Sequence, residues 1–256
     1  MTTVDPLEQQ REIDHLRSEV EKLRRMAMIG ELASTTTHEF NNLMMTILNF
    51  AKMGQRNQET AARDKAFDRI LKASEKATKV TGTVLAMSRG RSASKEPVAL
   101  KSLIEDTVVL LEREYRKYRV HLELNLQETA TVDGMADELQ RLIVNLLVNA
   151  RQATPEGGQV RVSLVQEDGL VRLSVRDNGS GIAPDVLPRI FDPFFSTKAG
   201  PDESGKGGTG VGLASCKEII EAHEGRIRVE SSVGKGTDFI IRLPVSQQPV
   251  QNAKAG

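Results

Sequence analysis

The chain has 256 residues, 39% of them apolar and 27% charged, the ordinary mixture of a folded protein with room for two domains. Lysine plus arginine equal aspartate plus glutamate at 35 each, so the basic excess of a nucleic-acid binder is missing. One cysteine, Cys216, excludes an internal disulfide framework and fits a reducing compartment; no apolar run reads as a signal peptide or a membrane span. The expectation is a cytoplasmic protein whose core, lacking tryptophan, is mostly aliphatic.

Residues 7–30 read as a charged helix in which Ile13, Leu16, Val20, Leu23 and Ala27 recur at steps of three and four. This is a short coiled-coil seam, expected over residues 1–30. It runs without a break into "THEFNNLMM" (37–45), where His38, Glu39, Asn41 and Asn42 interrupt an apolar helix that ends near Gly54. "GQRNQET" (54–60) is a polar turn. Residues 61–89 form a second helix with Phe67, Ile70, Ala73, Ala77, Val80, Val84 and Met87 on one stripe. An antiparallel hairpin cannot bury two such stripes alone, so two copies are expected to form a dimeric four-helix bundle over residues 31–90.

"SRGRSASKEP" (88–97) is a linker, taken as 91–97. Beyond it, helical stretches near 101–117, 136–153 and 211–223 alternate with strand-like runs at 119–126, 159–166, 170–176, 226–231 and 237–243. The fold class is therefore α plus α+β: a helical hairpin, then an α/β sandwich over 98–245 with helices on one face of a mixed sheet. The polar tail, 246–256, is expected to be disordered.

Four features of the second half point to a nucleotide. Asn145 and Asn149 stand one turn apart on one helix face, where their amide oxygens suit a hydrated Mg²⁺. In "VRDNGSGIAP" (175–184), Asp177 can accept from an exocyclic amine such as adenine's. Gly179 and Gly181 allow close approach of backbone and ligand. "RIFDPFFSTK" (189–198) gathers Phe191, Phe194 and Phe195 ahead of "AGPDESGKG", an apolar anchor for a mobile lid whose Lys198 and Lys206 can reach phosphates. "GGTGVGLASCKEII" (207–220) is a glycine loop opening onto a helix, an anion site made by Gly208, Thr209, Gly210, Gly212 and Leu213. It is neither a P-loop nor a dinucleotide fingerprint.

N-x-x-x-N, D-x-G-x-G, the Phe cluster and G-T-G-V-G-L, in that order over about seventy residues, resemble the N, G1, F and G2 boxes of sensor histidine kinases. The resemblance implies a Bergerat-type ATP-binding domain over roughly residues 98–244. It extends to the front half, because "HEFNN" resembles an H box, in the subgroup with H-D/E-F-N-N-L and no following proline. Leu43 stands where many H boxes place that proline, so the expected helix kink is absent.

Residue chemistry supports the same assignment. His38 is the nucleophile, since neutral imidazole attacks phosphorus reversibly near pH 7. Adjacent Glu39 is the candidate orienter and base. Asn42, four residues on, shares the His38 face and positions water for hydrolysis of a phosphorylated response regulator, as the H-E-x-x-N pattern implies. His15, His121 and His223 read as ordinary surface or structural histidines.

In the Hsp90, gyrase and MutL ATPases that share the fold, the residue four before the Mg²⁺ asparagine is typically a glutamate that activates water. Asn145 cannot act as a base, which favours a kinase over an ATPase. The expected function is thus a protein-histidine kinase that autophosphorylates His38 from Mg-ATP and passes the phosphoryl group to a receiver aspartate on another chain. The alternatives are mainly a response-regulator phosphatase or phosphotransfer protein, or an ATP-dependent dimeric switch. The signal would come from an upstream sensor domain or a partner protein.

Overall fold

Between residues 7 and 56 no proline and only two glycines interrupt a run of helix formers. In the structure, a computed structural model describing residues 6–57, 59–88, 94–193, 195–196 and 212–247, this run is one helix, α1 (Pro6–Arg56). Its 51 residues span on the order of 75 Å. The chain reverses and returns as α2 (Thr60–Ser88). Glu39, Leu43, Ile47 and Phe50, spaced by three and four, lie along the α1 face turned toward α2. The face offered in return is narrow, with Ala66, Ala73, Ala77 and Val80 all buried.

Phe67 departs from the expected stripe. It is 61% exposed, as is its neighbour Leu71 at 60%, while Ala66 is buried. A small side chain admits the closer approach, since a Cβ on Gly54 of α1 would sit 3.2 Å from the Ala66 methyl. In the expected coiled-coil segment, Leu16 and Leu23 are exposed.

The second half begins earlier than a free linker allows. Glu96, held extended by the following proline, opens β1 (Glu96–Val98), which pairs antiparallel with β3 (Val132–Gly134). Between them run α3 (Leu100–Lys117) and β2 (His121–Leu126). There follow α4 (Ala136–Ala153), β4 (Gln159–Glu167), β5 (Leu170–Asp177), a 3₁₀ turn (Leu187–Arg189), α5 (Gly212–Ala222), β6 (Arg226–Ser232) and β7 (Gly236–Pro244).

The five-stranded sheet has the order β2-β4-β5-β7-β6, with β2 parallel to β4 and the other pairs antiparallel. Alternation along β5 and β7 turns Val171, Leu173, Val175, Phe239, Ile241 and Leu243 into the core. There they meet Ile104, Leu110 and Leu111 of α3, Leu139, Leu142, Leu146 and Leu147 of α4, and Ile219 and Ile220 of α5. At the C-terminal edge, Val245 bridges Val132 and the Ser246 N–H donates to the Thr131 carbonyl at 2.7 Å, so the expected free tail is still pinned at its start.

Candidate nucleotide and phosphoacceptor sites

Asn145 and Asn149 project from the outer half of α4 toward the start of α5. The Asn145 Nδ2 donates to the Gly212 carbonyl at 3.4 Å, and a Cβ on Gly212 would lie 3.5 Å from Asn145 Oδ1 and 3.9 Å from Asn149 Nδ2. Both amides therefore border the first turn of α5, whose leading N–H groups carry the positive end of the helix dipole. Leu213, next in that turn, packs against the core. Gly208, Thr209 and Gly210 lie outside the described residues, as do Lys198, Lys206 and Phe194.

Asp177 ends β5 almost fully buried. Its Oδ1 accepts from the N–H of Gly179 at 2.8 Å and of Thr237 at 3.2 Å. Its Oδ2 receives no hydrogen bond from another described residue. Burial pushes its carboxyl above the usual range, opposed by those two backbone donors.

The neighbouring glycines answer first to the chain rather than to a ligand. A Cβ on Gly179 would meet the Ala153 carbonyl oxygen at 2.2 Å. On Gly181, with φ of +68°, it would meet the Ser232 carbonyl oxygen at 2.0 Å. The close approach that these glycines permit is thus of backbone to backbone, which places Asp177 beside α4.

Phe191 packs on the edge of the core, and Phe195 lies under the Arg189 guanidinium, 4.5 Å from carbon to ring centroid. Cys216 is fully buried behind α4, its Sγ 4.0 Å from the Leu142 carbonyl oxygen, and burial pushes the thiol up to about 12. His223 is a structural residue: its Nε2 accepts from the Met135 N–H at 2.9 Å and its Nδ1 donates to the Ile219 carbonyl at 2.7 Å.

On the hairpin, His38, Asn41 and Asn42 are exposed on α1. Glu39 is buried and turned the other way, toward α2, where Lys76 Nζ donates to its Oε1 at 2.9 Å. Successive residues of a helix diverge by about 100°, and no hydrogen bond joins His38 to Glu39. Adjacency in the sequence pairs these two, and the helix separates them. Lys76, absent from that pairing, carries one signal in the sequence, a cation set inside the Ala73, Ala77, Val80 stripe.

Residues 134–247 match the family described as histidine kinase-, DNA gyrase B-, and HSP90-like ATPase. The chain is 33% identical over 226 residues to the signal transduction histidine-protein kinase AtoS of Escherichia coli (strain K12), covering 88% of this chain and 36% of AtoS. Among solved structures, the mycobacterial sensor histidine kinase MprB aligns with a TM-score of 0.51 at 32% identity, over 59% of this chain and 97% of that one. Histidine kinase ThkA in complex with response regulator protein TrrA aligns with a TM-score of 0.51 at 25% identity, over 96% of this chain and 68% of that one.

The fold and boxes define an ATPase domain of the histidine kinase type behind a helical segment. The chain belongs to the sensor histidine kinase family. It spans about half or less of the length of the curated relatives it matches. Among the described residues no helix is long and apolar enough to cross a membrane.

Proposed function

We propose that this chain is the core of a sensor histidine kinase, which moves the γ-phosphoryl group of ATP to His38 and then to an aspartate on a separate response regulator. One observation carries the reading. Asn145 and Asn149 border the first turn of α5, and the Asp177 turn abuts the end of the same α4 at Ala153, on the same chain as an exposed helical histidine.

In this reading, Asp177 Oδ2 accepts from the adenine amine while the α5 N-terminus holds the phosphates. Gly208, Thr209, Gly210, Lys198 and Lys206 are assigned to the phosphates by the sequence boxes alone. The Asn145 and Asn149 amides supply neutral oxygens, the hard donors that suit Mg²⁺ shared with phosphate oxygens. No group of three or more acidic, His or Cys residues that could hold a metal alone occurs among the described residues. When bound, Mg²⁺ would offset charge on the β- and γ-phosphates.

An imidazole nitrogen of His38 forms the P–N bond as the P–O bond to ADP breaks, and the other ring nitrogen yields its proton to Glu39. Asn42, one turn further along, orients the water that hydrolyses a phosphorylated regulator, releasing inorganic phosphate and restoring its carboxylate. Because Asn145 is no base, water at the nucleotide is left inactive and His38 is the acceptor.

The residues that the hairpin leaves uncovered support a homodimer. Phe67, Leu71 and Leu85 of α2 and Met45 and Leu48 of α1 are between 46% and 61% exposed, a loss of burial that a second hairpin would recover at roughly 25 cal/mol per Å². The complex formed by ThkA supports a receiver domain as the partner here.

The test is incubation with γ-labelled ATP and Mg²⁺, comparing the chain with His38→Ala. Protein-bound label that survives alkali, is lost in acid and vanishes in the variant is the expected result. Tight ATP binding with no covalent label would overturn the autokinase reading in favour of a switch.

A further inference from the structure

Lys76 sits on the inward side of α2 and joins three helices through one ammonium. Its Nζ donates to Oε1 of Glu39 on α1 and to Oε2 of Glu112 on α3, each at 2.9 Å. The Glu39 side chain is only 10% exposed, and a carboxylate so far from water requires a cation. Burial opposes the Lys76 charge, but its bonds to Glu112 and Glu39 outweigh that and hold the ammonium above its ordinary range. In turn the hydrogen bond from Lys76 holds the Glu112 carboxyl below its own.

Two further contacts fasten the α/β domain to the same side of α2. Lys79 Nζ lies 2.8 Å from Asp106 Oδ1, and Gln140 Nε2 donates to Thr83 Oγ1 at 3.3 Å. Of these attachments only Lys76 also touches the H box. While Lys76 holds it, Glu39 points away from His38 and cannot take its proton.

We propose that Lys76 is a positioning residue that withholds Glu39 from His38 while the α/β domain rests on α2, and releases it when that domain lifts away. The inference rests on the reading of Glu39 as the base for His38. Departure of α3 removes Glu112 and admits water to the remaining pair. A solvated Lys–Glu pair contributes little, so the Glu39 side chain is then free to change rotamer toward His38. Docking and base placement are exclusive, and a nucleotide domain at rest cannot act on a primed histidine.

The test uses the full chain with Lys76→Met, Glu112→Gln and Lys76→Arg, with two readouts. The first is the rate at which carbodiimide and an amine convert the Glu39 carboxylate to an amide, followed by peptide mass spectrometry. The second is the initial rate of His38 labelling from γ-labelled ATP. Glu39 is expected to react several-fold faster in Lys76→Met and Glu112→Gln, while Lys76→Arg, still able to reach both carboxylates, restores protection. Initial labelling is expected to rise about three- to tenfold in the first two, and Lys76→Met is expected to have no effect on it in a Glu39→Gln background.

Equal Glu39 protection in all folded variants, or slower labelling in Lys76→Met, overturns the proposal. Glu112→Gln removes only the α3 end of the link, which lets α3 part from α2 and water reach the Lys76–Glu39 pair, and so decides the matter if Lys76→Met does not fold. Label absent from every chain, wild type included, would sink the autokinase reading, whereas the carbodiimide rates would still decide the role of Lys76.

Discussion

The two halves of this chain solve burial in opposite ways. The α/β half interleaves leucine, isoleucine and valine from three helices and a sheet, and large side chains such as Ile104, Leu139, Leu146, Leu173 and Ile241 are essentially inaccessible. The hairpin buries mainly Ala66, Ala73, Ala77, Val80 and Leu43, keeps a charged pair between its helices, and turns Phe67, Leu71 and Leu85 outward. The α/β half owns its core and can fix a site rigidly. The hairpin is unfinished by itself, so its packing can answer to the proposed second copy and to the docked domain.

The contrast breaks most readily at Gly236. With φ of +95° and a Cβ position 1.9 Å from the Asp177 carbonyl oxygen, Gly236→Ala must move β7 or the Asp177 turn. A loss of about 3 kcal/mol or more is expected, confined to the α/β half. Chemical unfolding followed by far-ultraviolet circular dichroism checks it; a wild-type midpoint would show that the two backbones are not held together.

Leu71→Glu addresses the other half. A charge on the proposed dimer face should weaken self-association about 10- to 100-fold, roughly 1.4–2.8 kcal/mol, and leave ATP binding untouched. Sedimentation equilibrium reads the first effect and nucleotide titration the second. An unchanged association constant would place the dimer face elsewhere.

Acidification should weaken nucleotide binding earlier than an ordinary aspartate would allow. The Asp177 carboxyl is raised by burial, so its charged, accepting form is lost as pH falls through that raised value. The sign for folding is opposite. A group whose native pKa exceeds its unfolded one binds its proton more tightly in the native state, so this residue adds stability on the acid side and loses it as pH rises through the native value. Nucleotide titration across the acid range, with Asp177→Asn as reference, separates the two.

Tyr115→Phe removes the hydroxyl that donates to the Leu147 carbonyl at 2.8 Å and should cost about 1 kcal/mol. The smallest effect is expected at Cys216. With its thiol pushed up to about 12 and its sulfur inaccessible, alkylation at pH 8 should be negligible until the protein unfolds. Rapid alkylation of the native chain would mean that the region behind α4 opens.

Periodicity made the elements legible. The helix carrying Asn145 and Asn149 spans the expected 136–153, and each of the five strands of the main sheet falls within a few residues of its apolar run. The short β1–β3 pair was not legible. Three residues show no alternation, and their pairing joins segments more than thirty residues apart. Phe67 was not legible for a related reason, since a seven-residue stripe cannot say whether its bulky member faces its own hairpin or the outside.

Order and spacing of the nucleotide boxes could be read from the chain alone, because each box is a local conformational demand: a helix face, a left-handed glycine turn, a helix start. What the glycines of the Asp177 turn avoid, which way Glu39 turns, and how Lys76 joins it to Glu112 were decided only in three dimensions. Those are relations between surfaces distant in sequence, fixed by close packing of backbone on backbone and by the need of a buried carboxylate for a cation.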